Sequence, residues 1–379
     1  MSTYKISRFF QEAGWKVQVF SFATESDEKP EHDIPCIHAK LEGGAANSAN
    51  IEQWRALVRE FQPKCIINQS PYEHPIAEQI KDLHKQLGFV LLACLRNSLF
   101  SVKLNIEQYQ KDMIPALLQP AFNNAIGHAM AQVVHRFSHA RNLRRLLKAH
   151  DRFVVFAEPN IRELEYFVGT SYTRQCELVP NSIPDVDEVA RPKELILLYV
   201  GRLEEYQKRA HFLLPLWKKI RGSLPEWQFH IVGDGPIRGD MERDAQQEGL
   251  DDVSFHGRCD PYPHYEQASM LVMLSSFEGF PNVLVEAQSR AVAPVIIDSY
   301  PIAGWLIEDG DNGRLLPHFD LDAVARAIVE LGKSPEALAR IQARALESVR
   351  RFQIDQVGKQ WLEVIERVSQ EKRTPGTGA

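Results

Sequence analysis

What most restricts the fold of this chain is an alternation of short apolar runs with amphipathic stretches, met as two successive series. Apolar runs of strand length separated by segments of helical periodicity are the signature of βα units, which assemble into parallel sheets. The first series opens with a helical stretch carrying Tyr4, Ile6, Phe9, Phe10 and Ala13, closed by Gly14, so a helix precedes any strand. Strands are then predicted over 16–22, 65–68, 89–94 and 152–156, with helices over about 50–61 and 74–87 and a largely helical region over 103–150. A stretch from Leu178 to Pro192, rich in proline and acids, reads as a linker. In the second series the predicted strands are 195–200, 228–232, 253–256, 270–274 and 294–297, with helices over about 209–221, 237–248, 281–290, 321–331 and 335–369. The expected fold class is α/β, two Rossmann-like parallel-sheet domains with a cleft between them. Ligands then belong outside the carboxyl ends of the strands.

Length and composition agree. At 379 residues the chain exceeds an ordinary single domain, and 44% hydrophobic with 25% charged residues describes a globular protein rather than a disordered one. A net charge of -6 supplies no global positive field, so nucleic acid is not an expected partner. The sequence shows neither a long uninterrupted apolar run nor a charged leader followed by one, and a cytoplasmic location is expected. Five cysteines, Cys36, Cys65, Cys94, Cys176 and Cys259, are widely spaced without a C-x-x-C pair, which suggests buried reduced thiols and neither disulfides nor zinc. His74 and His264 stand alone and are expected to be ordinary satisfied side chains.

Three loops of the second series carry chemistry. Gly201-Arg202-Leu203, followed by Lys208-Arg209, lies where a strand opens toward a helix. A guanidinium and an ammonium there can clamp a diphosphate and stabilise its departure; the plainer alternative is a solvated basic loop. Gly233-Asp-Gly235-Pro236 offers backbone amides beside a helix start, although a tight turn explains it equally well. Arg238 stands where a dinucleotide fingerprint would need its third glycine, so NAD is not expected. Gly43-Gly44 is a loop. The most informative segment is Glu278-Gly279-Phe280-Pro281-Asn282, with Glu286 eight positions after Glu278 in the following helix. Carboxylates so placed can accept hydrogen bonds from sugar or ribose hydroxyls and stabilise positive charge at an anomeric carbon, and the amides of Gly279 to Asn282 can hold hydroxyls or phosphate.

From Leu195 to Pro317 the sequence resembles the C-terminal domain of the retaining family 4 glycosyltransferases of the GT-B fold, the group 1 glycosyl transferases. Glu278 and Glu286 match the family's E-x7-E pair, and Gly201, Arg202 and Lys208 its G-R-L…K loop. The Gly233-Asp-Gly-Pro turn, Phe255-His-Gly257-Arg258, Glu286-Ala287 with Pro294-Val295, and Asp311-Asn-Gly313 follow in the family's order. The resemblance implies a hexosyltransferase-type enzyme using a nucleotide-diphosphate sugar as donor substrate and no cofactor. By the same resemblance Arg202 and Lys208 bind the diphosphate, Glu286 the ribose, Glu278 with Gly279, Phe280, Pro281 and Asn282 the donor sugar, and the backbone near Gly257 and Arg258 the base. No metal site is expected, since the cations neutralise the leaving group and no Asp-x-Asp cluster suited to Mg²⁺ or Mn²⁺ was recognised. The acceptor implied is a glycan or lipid-linked saccharide, in bacterial surface-polysaccharide synthesis.

Three departures stand out. The family usually opens with a strand and a Gly-rich loop before the helix that here begins near Tyr4, so the N-terminal domain is expected to be incomplete. In Leu95-Arg96-Asn97-Ser98, Arg96 replaces a usual histidine near the reacting sugar; it cannot serve as a base but can meet a phosphate or anionic acceptor, with Asn97 beside it. Ala291 occupies the usual glycine of a helix–strand turn. The expected domains are 1–187 on the acceptor side and 192–350 for the donor, then a helix over 351–370 crossing back and a disordered tail over 371–379. Arg141, Arg144, Arg145 and Lys148 form one basic stripe at helical spacing, either a solvated face or an edge that meets anionic lipid at the inner face of a membrane. A non-catalytic nucleotide-sugar-binding or partner subunit, or a nucleotide-sugar 2-epimerase, are the alternative functions.

Overall fold

The computed structural model describes residues 2–21, 36–38, 48–69, 71, 74–104, 124–183, 186, 192–317 and 320–373. In chain order the elements are α1 (Ser2–Glu12), β1 (Val19–Ser21), β2 (Cys36–His38), α2 (Ser48–Phe61), β3 (Cys65–Asn68), α3 (His74–Leu87), β4 (Val90–Cys94), α4 (Ser101–Leu104), α5 (Ala125–Ala149), β5 (Arg152–Val155), α6 (Glu158–Val168) and β6 (Cys176–Leu178). They continue with β7 (Glu194–Val200), α7 (Leu213–Ile220), β8 (Gln228–Val232), α8 (Arg238–Gln247), β9 (Val253–Gly257), α9 (Tyr262–Gln267), β10 (Ala268–Met273), α10 (Asn282–Gln288), β11 (Ala293–Ile297), α11 (Ala303–Leu306), β12 (Arg314–Leu316), α12 (Leu321–Gly332), α13 (Pro335–Ser348) and α14 (Ile354–Arg373). Two compact units result: residues 1–96, 134–182 and 354–379, and residues 97–133 and 183–353.

In the first unit β3, β4, β5 and β6 pair in that order, all parallel, while β1 and β2 form a separate parallel pair. β4 is buried on both faces, as a central parallel strand must be. Val90, Leu92 and Cys94 pack with Ile6 and Phe10 of α1 and with Trp361, Val364 and Ile365 of α14. Leu91 joins Trp54, Val58, Ile80 and Leu83 from α2 and α3. His84, the Asp151 carboxylate and Lys372 close a polar knot beside this sheet: His84 Nε2 and Lys372 Nζ lie 2.9 and 3.0 Å from Asp151 Oδ2.

The second unit is a six-stranded parallel sheet in the order β12-β11-β10-β7-β8-β9. β7, first of these strands in the chain, lies between the fourth and the second, so the strand order reverses beside it. Its core gathers Leu197 and Tyr199 of β7, Trp217 of α7, Phe229 of β8, Val272 of β10 and Ile328 of α12.

Several expectations change. The strand predicted over 16–22 is described only at Val19–Ser21, and β2, α6, β6, α9 and β12 were not anticipated; most are too short for a periodic signal. The single helix over 335–369 is two. Arg350–Phe352 forms a 3₁₀ turn because the Phe352 ring is buried against Phe280 and Trp305, at centroid separations of 5.6 and 5.7 Å. α14 runs on to Arg373, so 371–373 are helical rather than part of a disordered tail; 374–379 lie outside the described residues. The helical region over 103–150 is described at Ser101–Leu104 and Ala125–Ala149, and 105–123, like Gly43-Gly44, lie outside the described residues.

Candidate functional site

In an open parallel sheet the crevice for a ligand opens at the carboxyl ends of the two strands where the order reverses. Here those strands are β7 and β10, and the loops leaving them are Gly201–Arg209 and Leu274–Pro281. The first loop is organised by Glu204, whose carboxylate accepts from the backbone amides of Tyr206 and Lys208 at 2.8 and 2.5 Å. Arg209 then turns the chain with φ 51°, a left-handed conformation. The second loop is tied to the first by Ser276, whose amide donates to the Gln207 carbonyl at 2.7 Å and whose hydroxyl donates to the Tyr206 carbonyl at 2.7 Å. Ser299, past β11, donates to the Ser275 carbonyl.

Within this brace Lys208 Nζ donates to Glu278 Oε1 at 2.5 Å, and Gln207 Nε2 reaches Glu278 Oε2 at 3.5 Å. Glu278 is buried and Lys208 half-buried, so the buried carboxylate faces a cationic partner from the opposite loop. Arg202 is exposed in the same loop and its side chain makes no hydrogen bond among the described residues. Burial, joined by the Glu278 charge at Tyr300 and by the Glu204 and then Glu278 charges at Tyr199, pushes both phenols well up, so both remain protonated at neutral pH. Tyr199 Oη donates to the Arg202 carbonyl at 2.9 Å. Tyr300 Oη is buried without a partner among the described residues. Sequence reasoning missed Tyr300; its signal was a Ser-Tyr-Pro turn directly after the strand over 294–297.

The glycine turns lock the neighbouring loops together. A Cβ on Gly233, at φ +138°, would stand 1.8 Å from the Gly201 carbonyl oxygen, and one on Gly235 2.2 Å from that of Leu203. The Gly233 amide donates to the Gly257 carbonyl at 2.8 Å and the Gly235 amide to Asp234 Oδ1 at 2.7 Å. Of the two readings of this turn, close backbone packing accounts for these amides. Gly257 has φ +67° and lies under the Arg238 guanidinium, which pairs with Glu242 at 2.7 Å. Arg258 is exposed.

Of the E-G-F-P-N turn, the Phe280 ring is buried against Phe352 and Pro281 is buried too, so these side chains build the turn and only their backbone can face a ligand. Asn282 is exposed, and α10 ends at Gln288 rather than 290 because Ala291 turns out of it with φ 53°. Glu286, half-buried on α10, acts with burial to hold the Tyr262 and Tyr265 phenols above their ordinary range.

In the first unit Arg96 leaves β4 half-buried. Its Nε donates to Gln69 Oε1 at 2.7 Å, its Nη1 to Asn181 Oδ1 at 2.9 Å, and its guanidinium lies 5.2 Å from the Phe156 ring centre. Arg96 is thus fixed at the carboxyl ends of the sheet by neutral partners; Asn97 is exposed.

The sequence reading passed over an Asp-x-Asp triplet at Asp309–Asp311. Asp309 accepts from Arg314 Nε at 3.0 Å, and Asp311 is gripped by Arg344 at 2.9 and 3.0 Å. Two further triplets occur: Asp185–Asp187, with both carboxylates outside the described residues, and Asp320–Asp322, where Asp320 accepts from the Ala323 amide and Asp322 pairs with Lys219, each at 2.8 Å. Cys259 is exposed, not buried, and His264 does not stand alone but lies against His256, with ring centres 4.4 Å apart. Arg141, Arg144, Arg145 and Lys148 are all exposed on α5, opposite the buried Leu143, Leu146 and Leu147. Among the described residues no helix is long and apolar enough to cross a membrane.

Residues 194–334 match the family model described as Glycosyl transferases group 1. Among curated relatives, an undecaprenol-linked glycan alpha-1,4-N-acetyl-D-galactosaminyltransferase of Campylobacter jejuni is 26% identical over 202 residues, 52% of this chain and 56% of the relative. A lipopolysaccharide 1,6-galactosyltransferase of Salmonella typhimurium is 33% identical over 132 residues, 33% of this chain and 36% of the relative. The chain spans about half the length of the first of the curated relatives it matches. Among solved structures, Anabaena HepE in complex with UDP-glucose superposes with a TM-score of 0.71 over 97% of this chain and 95% of its own, at 14% identity. The fold is therefore the α/β GT-B fold.

Proposed function

We propose that the chain is a retaining glycosyltransferase that moves a hexose from a nucleotide-diphosphate sugar to a glycan or lipid-linked saccharide in bacterial surface-polysaccharide synthesis. The observation that carries this reading is the Lys208–Glu278 pair at the strand-order reversal, with Arg202 exposed beside it. Lys208 and Arg202 take the diphosphate, and their charge stabilises its departure without a metal ion. Glu278, freed from Lys208 as the diphosphate arrives, accepts from the donor sugar's hydroxyls. Glu286 accepts from the ribose, and the backbone at Gly257 and Arg258 meets the base. The departing phosphate takes the acceptor's proton on the face it leaves, which keeps the anomeric configuration. Arg96 and Asn97 serve the acceptor. The similarity to transferases named for undecaprenol-linked glycan, amylovoran and lipopolysaccharide supports the acceptor class. The basic stripe of α5 rests on anionic lipid at the inner face of the membrane, where such acceptors lie.

The test is incubation with UDP- and GDP-sugars and saccharide acceptors, followed by mass spectrometry and anomeric analysis. An extended acceptor with the donor's configuration supports the reading. Bound donor without release of nucleoside diphosphate favours a non-catalytic binding subunit, and free sugar as product an epimerase.

A further inference from the structure

Three histidines from three elements converge at the β8–β9 edge of the second unit: His230 in β8, His256 in β9 and His264 in α9. One ring nitrogen from each lies within 4.8 Å of the others. The His230 and His256 ring centres are 4.7 Å apart, those of His256 and His264 4.4 Å. His256 arrives there through a β-bulge. Ile231 pairs with Phe255 and Val232 with Gly257, which leaves His256 as the extra residue, and a bulge re-aims the side chain it carries.

A fourth donor stands next to them. Cys259 Sγ is exposed and lies 3.6 Å from His264 Nε2. Zinc–nitrogen bonds of about 2.0 Å and a zinc–sulfur bond of about 2.3 Å set the N···S edge of a tetrahedron at roughly 3.5 Å, so this pair already has the spacing of two ligands. His264 Nδ1 is buried without a hydrogen-bond partner among the described residues.

We propose that His230, His256 and His264 bind a divalent transition-metal ion of the zinc type, with the Cys259 thiolate as fourth ligand. Imidazole and thiolate suit a borderline-soft ion, whereas magnesium and calcium prefer oxygen. On binding, the thiol loses its proton to solvent, and ring rotations draw the nitrogens to the roughly 3.3 Å edge of a tetrahedral site. The ion ties β8 and β9 to α9 immediately before Gly257, whose carbonyl anchors Gly233. Its role is to brace that turn, and it does not depend on the transfer reaction.

The full chain, stripped with chelator, is titrated with Co²⁺ and then Zn²⁺. One equivalent of Co²⁺ is expected to give intense tetrahedral d–d absorption with a sulfur-to-metal charge-transfer band, and Zn²⁺ to bleach both. Zinc at about 100-fold over its Kd raises Tm by about 5–10 °C. Cys259→Ser abolishes the charge-transfer band and weakens binding. His256→Ala, at an exposed position, abolishes the tetrahedral spectrum, and its circular dichroism checks the fold. A weak octahedral spectrum from the unaltered chain, or tetrahedral binding that survives in His256→Ala, overturns the site.

Discussion

Lys208 Nζ and Glu278 Oε1 stand 2.5 Å apart and join the loop after β7 to the loop after β10. Each side chain is assigned to a different part of the donor, and each neutralises the other while no donor is present. Removing Lys208 leaves a buried carboxylate without its cation. Lys208→Met is expected to cost about 2 kcal/mol, and the double variant Lys208→Met/Glu278→Gln about 1–2 kcal/mol less than the sum of the single losses. Denaturant unfolding of the four proteins measures this coupling; strictly additive losses would show that the pair is only a proximity.

Ala291 closes α10 in the left-handed region. Its amide donates to the Gln288 carbonyl and the Val292 amide to the Ala287 carbonyl, the bond pattern of a helix end that ordinarily takes glycine. Ala291→Gly is expected to stabilise the chain by about 0.5–1 kcal/mol, despite the freer unfolded chain. Thermal unfolding reads it directly, and a lower Tm would contradict the strain assigned to this turn.

Acid should weaken the first unit through Asp151. Burial opposes its ionisation, but hydrogen bonds from His84, the Leu91 amide and Lys372 outweigh that and bring its pKa to about 2. A depressed carboxylate contributes stability above its unfolded pKa, near 4, and loses it as pH falls from about 4 to 2. Asp151→Asn should therefore be less stable than the parent by about 2 kcal/mol at pH 7, with the gap closing toward pH 2. A gap of constant size across that range would remove the carboxylate's role.

The four exposed cations of α5 make the membrane edge testable. Arg144→Glu/Arg145→Glu is expected to lower co-sedimentation with phosphatidylglycerol vesicles by tenfold or more, at about 1 kcal/mol per charge near an anionic surface. Neutral phosphatidylcholine vesicles should bind neither protein. Equal binding of both proteins to anionic vesicles would return the stripe to a solvated face.

Much of the second unit was legible because β7, β8, β10 and β11 are apolar runs of strand length, and because Gly201, Lys208, Glu278 and Glu286 sit in the loops and helix those strands impose. The Lys208–Glu278 contact was not legible. Seventy positions separate the two residues, and only strand order brings them together. For the same reason His264 looked like an isolated residue, since it meets His230 and His256 only through the β8–β9 pairing and a bulge. The break at Phe352 was hidden because the apolar periodicity of α13 and α14 runs through it, whereas burial of one ring against Phe280 and Trp305 decides where the helix stops. Arg96 was visible as a substitution, but its hold on Gln69 and Asn181 depends on β3, β4 and β6 ending at one edge of the sheet, with β5 between β4 and β6.

The most direct measurement of the central claim is calorimetric titration of the chain and of Glu286→Ala with UDP- and GDP-sugars, with released nucleoside diphosphate assayed in the same samples. The account predicts that one of the two nucleotides binds at a single site, with slow release of the diphosphate, and that Glu286→Ala weakens binding by about tenfold through loss of charge-assisted hydrogen bonds to the ribose. Absence of binding by either nucleotide sugar, or an affinity unchanged in Glu286→Ala, would contradict the donor site described here.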